Sequence, residues 1–329
     1  MLMSSRMAGM TALERSPLRR ALRAWYRPRS EGYPWRRDGI GPYAILVSEV
    51  MLQQTQAARV AAAFDGFLRR FPTVSSLAAA APADVLRAWS GLGYHRRAVA
   101  LHEAARTIVR VHGGEVPGDP EALQHLPGVG RYTASAVAAI AFGRPVVAMD
   151  VNVRRVASRV VLGREPEDRD DPRIAAAARV LLDRRDPASW NQAMMDLGRE
   201  VCRPTPRCEG CPLEPWCRFR SAGRPGRSAF AQKQSPFEGS NRQVRGRIVA
   251  VLRQRPSAGL SGLAAATGFG ADRVGSAVTG LVRDGIVERR GRSFRLPVNH
   301  PSERSNREPG RSSDSFSLSA ATPTGGMSS

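Results

Sequence analysis

The chain has 329 residues, long enough for two or three domains, and its 50 Lys plus Arg against 29 Asp plus Glu leave a net charge of +21, the balance of a protein that binds a polyanion, nucleic acid first among them. Forty-nine of those cations are Arg and one, Lys233, is Lys. A Walker phosphate loop needs Gly-Lys and a Schiff-base enzyme needs a reactive amine in context, so neither class fits.

The first ten residues carry no apolar signal core and are expected to be disordered. The longest apolar-rich stretch, around 134–142, is far short of a membrane span. A soluble cytoplasmic protein, nucleoid-associated if bacterial, without a membrane partner and monomeric, is the expectation. Residues 11–26, then a near-continuous series from 42 to 201, place apolar side chains at helical spacing, broken by Pro and Gly, with no alternating strand pattern. Helices are expected over 43–55, 57–71, 83–90, 95–112, 131–142, 151–162, 172–182 and 187–201, an all-α body covering 11–220.

In the first helix of that series, PYAILVSEVMLQQT, Glu49 interrupts an apolar run. Ionising a carboxylate there is costly, so its pKa should rise and ready it to donate a proton near neutral pH. A surface Glu whose apolar neighbours face elsewhere is the competing reading. Further on, LPGVGRYTA sets Gly128 and Gly130 immediately before a helix. Two such glycines allow a tight turn whose backbone N–H groups, with the helix dipole, can hold a phosphate; an ordinary helix–helix turn looks the same in isolation.

Next, GRPVVAMDVNVRRVASRV ends an extended stretch with Asp150 at a helix start. The dipole and free N–H groups should hold this carboxylate ionised, suited to stabilising a developing positive charge, although a simple N-cap uses Asp in the same way. One raised and one depressed carboxylate form the pair that glycosidic cleavage through an oxocarbenium-like state requires. The five histidines show no spacing that competes as a catalytic cluster.

All four cysteines, Cys202, Cys208, Cys211 and Cys217, follow within sixteen residues at gaps of five, two and five. In a cytosolic protein of this size they point to a metal site rather than a disulfide framework. Structural zinc usually takes two Cys-x-x-Cys knuckles; a single such pair flanked by wider gaps fits an iron–sulfur cluster better. Arg203, Arg207, Arg218 and Arg220 surround these residues, placed to meet phosphates.

Residues 221–241 read as a linker. From 242 to 297 the order is helix, short helix, turn, longer helix and a basic hairpin, IVERRGRSFRLP, that of a small winged helix-turn-helix whose Arg283, Arg289, Arg290, Arg292 and Arg295 would add backbone affinity for DNA. A protein–protein module has the same pattern. The Ser-, Pro- and Gly-rich tail, 298–329, is expected to be disordered.

Taken together, SEVMLQQT, GLGYHRRA, LPGVGRYTA, MDVNVRRV, WNQAMMDLG and the four-cysteine segment resemble the helix-hairpin-helix DNA glycosylases with a four-iron four-sulfur cluster, and within them the adenine DNA glycosylases of the MutY type. The resemblance covers about 30–220. It implies a two-lobed fold, with a six-helix barrel at about 41–145 inserted in a cluster domain whose loop is 202–217. The activity implied is removal of adenine mispaired with guanine or 8-oxoguanine in double-stranded DNA, the base being flipped into the cleft between the lobes. Glu49 then matches the acid that protonates the leaving adenine, and Asp150 the carboxylate that stabilises the sugar cation. Asn152 and Tyr132 match their supports, Trp35 and Gln192 the purine pocket, and Gln54 and Tyr94 side chains wedged into the vacated stack, with Leu52 a further substrate- or DNA-binding position. Gly128 and Gly130 match the phosphate-holding hairpin, and the four cysteines the cluster ligands.

Tyr132 stands where related strand-cutting enzymes have Lys, so a monofunctional glycosylase is implied. The sequence departs from the family in three places. Its first cysteine gap is one residue short, Val151 replaces a frequent Gly, and a winged helix stands where a Nudix-like inspecting domain is usual. A thymine or uracil mismatch glycosylase is the rival enzyme, and a non-catalytic iron–sulfur DNA-binding regulator the rival from another class.

Overall fold

Fifteen α-helices, three short 3-10 turns, one π turn and three short strands make up the described part of the computed structural model, which describes residues 12–30, 32–166, 171–223 and 236–298. The expected disorder at 1–10 and most of 298–329, much of the linker, and Lys233 lie outside these residues. The helices are α1 (Ala12–Tyr26), α2 (Pro42–Leu52), α3 (Ala57–Arg70), α4 (Val74–Ala79), α5 (Pro82–Ala88), α6 (Arg96–His112), α7 (Pro120–Gln124) and α8 (Arg131–Phe142). They continue with α9 (Val151–Ala157), α10 (Pro172–Leu181), α11 (Pro187–Glu200), α12 (Arg218–Ser221), α13 (Asn241–Gln254), α14 (Leu260–Thr267) and α15 (Ala271–Arg283). No helix among the described residues is long and apolar enough to cross a membrane.

Local chemistry sets most boundaries. Pro opens α2, α5, α7, α10 and α11, where its missing N–H costs nothing. Glycines in the left-handed conformation close α6 and α8. The periodicity does not reveal α4 and α7, which are too short to show it; their signals are the caps, a Thr73–Ser76 capping box and Asp119. The single helix expected over 151–162 is α-helical only to Ala157 and continues as a π turn, Ser158–Leu162.

Two apolar cores divide the body. Helices α2–α8 enclose the first, around Val47, Phe64, Phe67, Trp89, Leu101 and Val137. Helices α1 and α9–α11 enclose the second, around Leu18, Val153, Ile174, Trp190 and Met194, with Cys202, Cys211 and Cys217 packed on its edge. The chain therefore begins in the second core, builds the first, and returns after residue 143.

The C-terminal unit packs α13, α14 and α15 together beside a three-stranded antiparallel sheet of order β1-β3-β2, from β1 (Ala258–Gly259), β2 (Glu288–Arg290) and β3 (Ser293–Arg295). Its Val244, Ile248, Leu263 and Leu281 are continuous with the first core. Within the hairpin, Arg290 and Arg295 both bond to the buried Glu288.

Candidate active site

Helix α2 is buried over nearly its whole length, from Ala44 to Met51, so no face is left on which Glu49 could be a surface residue. Glu49 is 5% exposed, and its Oε2 has no hydrogen-bond partner. Burial pushes its pKa up to about 7, against the downward pull of the Tyr132 hydroxyl and Arg36; Asp150 pushes in the same direction as burial. A carboxyl so placed carries a proton near neutral pH and lacks an acceptor for it.

Asp150 is the N-cap of α9. Its Oδ1 accepts from Asn152 N at 2.9 Å and Val153 N at 2.7 Å, while Asn152 Nδ2 donates to Oδ2 at 2.7 Å. The expectation of a depressed pKa is corrected: burial raises it, outweighing these bonds and Arg155. The cap dipole acts against desolvation rather than alone, so both carboxyls of the pair lie above their ordinary range.

Asn152 is held in turn. Arg155 Nη2 donates to Asn152 Oδ1 at 2.8 Å and to Gly198 O at 2.7 Å, and its Nε donates to Cys202 O at 2.6 Å. A Cβ at Gly198 would sit 2.4 Å from the Cβ of Asn152, with backbone atoms close behind. Gly198→Ala is therefore expected to shift the start of α9, destabilising the fold by about 1–3 kcal/mol and slowing chemistry about 100-fold through a misplaced Asp150. Thermal unfolding and single-turnover rates check this; an unchanged rate would refute it.

Tyr132, near the start of α8, feels both Glu49 and Asp150, and its hydroxyl donates to Met195 Sδ at 3.4 Å. Trp35 is buried in the first core, stacked on Tyr33 at 4.8 Å and edge-on to Phe64. Gln192 accepts from the Tyr26 hydroxyl. Beside them lies an ion pair that sequence reasoning missed, Arg36 to Asp196 at 2.7 Å, with both side chains buried and Arg36 over the Tyr26 ring. Its partners are 160 residues apart, and no motif links them. Asn191 is a second omission: it accepts from Ala148 N and donates to Val146 O, fixing the chain that leads into Asp150.

The hairpin glycines differ in kind. Gly128 has φ +76° and a Cβ there would meet Ala100 Cβ at 2.6 Å, so no other residue fits. Gly130 has φ −83° as N-cap of α8, and nothing lies within 4 Å of where its Cβ would be. Its lack of a side chain serves open space rather than conformation, leaving the first-turn N–H groups of α8 approachable by an anion. Gln53 Nε2 ties this hairpin to the end of α2, donating to Gly128 O and Thr133 Oγ1. Leu52, half-buried, packs on the first core.

Gln54 and Tyr94 are exposed and, among the described residues, are the two non-glycine positions with positive φ, +57° and +44°. Such backbone persists only where surroundings impose it. Arg97 supplies that brace: it donates to Val50 O and Met51 O in the last turn of α2, to Thr55 Oγ1 just after it, and to Leu92 O and Gly93 O on the loop before α6.

The four cysteines line one cavity with Arg159, Leu213 and Phe219. Arg159 Nη1 lies 3.4 Å from Cys202 Sγ and also donates to Arg203 O, while Nη2 donates to Pro204 O. Among the described residues no three His, Cys, Asp or Glu side chains gather tightly enough to hold a single metal ion.

Residues 47–180 match the model of the HhH-GPD superfamily of base excision DNA repair proteins, a span that holds Glu49, the hairpin and Asp150. The adenine DNA glycosylase of Mycobacterium tuberculosis is 49% identical over 235 residues, covering 70% of this chain and 77% of that one. The human adenine DNA glycosylase is 42% identical over 218 residues, 63% of this chain and 40% of its own. Among solved structures, a thermostable thymine-DNA glycosylase superposes with a TM-score of 0.57 at 26% identity, over 63% of this chain and 97% of that one. On these matches, the chain belongs to the adenine DNA glycosylase family of the HhH-GPD superfamily of base excision DNA repair proteins.

Proposed function

We propose that the protein hydrolyses the N-glycosidic bond of adenine mispaired with guanine or 8-oxoguanine in double-stranded DNA and leaves the strand intact. The observation that carries this reading is the pair in the cleft: a buried Glu49 with an unpartnered oxygen and a pKa near 7, electrostatically coupled to Asp150 at the cap of α9. Glu49 donates its proton to N7 of the flipped adenine. The C1′–N9 bond then breaks with its electron pair leaving on the base, and ionised Asp150 faces the sugar cation until water adds at C1′ and gives up its proton to the Glu49 carboxylate left by the first step. Asn152 and Arg155 hold Asp150 in place, and Tyr132 lies against the acid. Gly128, Gly130 and the start of α8 take a backbone phosphate, while Gln54 and Tyr94 enter the vacated stack.

The cysteine cavity fits a four-iron four-sulfur cluster. Four thiols arranged around a space, with a guanidinium beside one of them, suit a cubane with one thiolate per iron better than a single ion. Cys202, Cys208, Cys211 and Cys217 would hold it, and it would brace the loop that receives Arg155 and Arg159. We read the C-terminal unit as a winged helix, with Arg283, Arg289 and Arg292 on its exposed side available to phosphates.

Single-turnover cleavage on duplexes carrying adenine opposite 8-oxoguanine, guanine or cytosine, and thymine opposite guanine, tests the reading. Adenine release from the first two supports it. Thymine release alone would favour the activity named for the superposed structure, and no release from folded, cluster-loaded protein would refute a glycosylase. With Tyr132 in the cleft and no Lys in the described residues, borohydride should trap no enzyme–DNA adduct and strands should break only after alkali. A trapped adduct would overturn the monofunctional assignment.

A further inference from the structure

The C-terminal unit is seated on the loop that carries Tyr94. Arg253 of α13 donates to Leu86 O at 3.0 Å and Ser90 Oγ at 3.2 Å, and Ala83 N donates to Pro297 O at 2.9 Å. Arg96 pairs with Asp284 at 3.7 Å. His95, the residue after Tyr94, is buried, and its pKa is pushed down to about 3 by desolvation and then by Arg253, Arg245 and Arg97, so it packs neutral under the unit. Finally, Arg242 Nη1, in the first turn of α13, donates to the Tyr94 hydroxyl at 2.8 Å.

Tyr94 is thus held on three sides. Its backbone is in the left-handed region, the Arg97 guanidinium lies 5.6 Å from its ring centroid, and Arg242 takes its hydroxyl. Two of these constraints come from the glycosylase body and one from the C-terminal unit. Among the described residues, the hydrogen bond to the hydroxyl end of the ring comes from Arg242 of the C-terminal unit.

We propose that the C-terminal unit is a working part of the stack-opening apparatus: Arg242 is a positioning residue that aims Tyr94 at the strand opposite the flipped adenine, so that the unit bears on the purine left behind. The proposal rests on the reading of Tyr94 as the inserted side chain. It assigns the unit a role beyond added backbone affinity, because a tethered DNA-binding module would need no contact with the insertion loop. It also places a cation beside the orphaned nucleotide, where the guanidinium can exchange the tyrosine hydroxyl for an acceptor on that strand.

The test is a double-mutant cycle of Arg242→Ala and Tyr94→Phe in the full-length, cluster-loaded chain, with Arg242→Lys as the conservative variant. Single-turnover adenine release opposite 8-oxoguanine and guanine is measured with affinity for a matched duplex. Fluorescence of 2-aminopurine placed opposite the target reports unstacking. Each single variant is expected to slow release about tenfold and lower the fluorescence rise, with matched-duplex affinity changed less than about threefold. The double variant should be no worse than either single one, and Lys should restore part of the rate. Additive losses, or a uniform fall in affinity for every duplex at an unchanged rate, would overturn the proposal and leave Arg242 a plain phosphate contact. If the unsubstituted chain releases no adenine while folded, the glycosylase reading itself fails, which separates the two failures.

Discussion

Asp150→Asn is expected to abolish measurable adenine release, a loss of about a thousandfold or more, while mismatch binding stays within a few-fold of the unsubstituted protein. The geometry explains why such a small change is informative. Asn keeps an oxygen where Asp150 Oδ1 accepts from Asn152 N and Val153 N, so the cap of α9 survives. What disappears is the negative charge that faces the sugar cation. Removing it relieves the desolvation that raises the Asp150 pKa, while the amide nitrogen that replaces Oδ2 meets the Asn152 Nδ2 donor and loses that bond, so the two effects oppose and the variant should unfold at close to the same temperature. Activity and stability therefore move apart, which a merely structural Asp would not produce. Single-turnover kinetics, filter binding and thermal unfolding on one preparation decide it, and release within tenfold of normal would remove Asp150 from the chemistry.

The second large effect is on pH. With the Glu49 pKa at about 7, the fraction of enzyme holding the acid proton falls about tenfold per pH unit above that value, and the single-turnover rate should fall with it. The acidic limb reflects protonation of Asp150 and lies above the ordinary aspartate range, because its pKa is raised as well. The same shift acts on stability. A carboxyl whose pKa is higher folded than unfolded binds more protons in the native state, so its contribution falls as pH rises from about 4.5 to about 7 and is then constant. The cost at the plateau is about 3 kcal/mol. Glu49→Gln should thus lose activity about 10²- to 10⁴-fold and gain stability above about pH 7 but not at pH 4. An alkaline limb that persists in Glu49→Gln would assign the titration to another group.

These expectations divide by what could be read from sequence. Glu49 stood out because a lone carboxylate within PYAILVSEVML has no polar face to occupy, and the burial of α2 on every side is the consequence. Gly128 and Asp150 were legible for the same local reason, since a tight turn and a helix cap each restrict residue type within a few positions. The direction of the Asp150 pKa was not legible. Cap bonds are local and lower it, whereas burial is set by how distant parts of the chain close around it, and burial wins. Arg36 carried no signal, and Asp196, Asn191 and Arg155 lay within quoted motifs without any sign of their roles, because each acts through a partner brought near only by folding.

By itself, the sequence determined the helical body, its caps and turns, the lone carboxyl of Glu49 in an apolar helix and the helix-capping carboxylate of Asp150, and four thiols in one short loop. All are properties of residue type and near-neighbour spacing, which backbone sterics and local hydrogen bonding read directly. The tertiary structure alone decided that Glu49 on α2 of the first core comes near Asp150 at the cap of α9 in the second, that Arg155 links Asn152 to the backbone of Cys202, and that Arg242 reaches Tyr94 across 148 positions. Desolvation and long-range ion pairing depend on three-dimensional closure, so no stretch of chain encodes them alone.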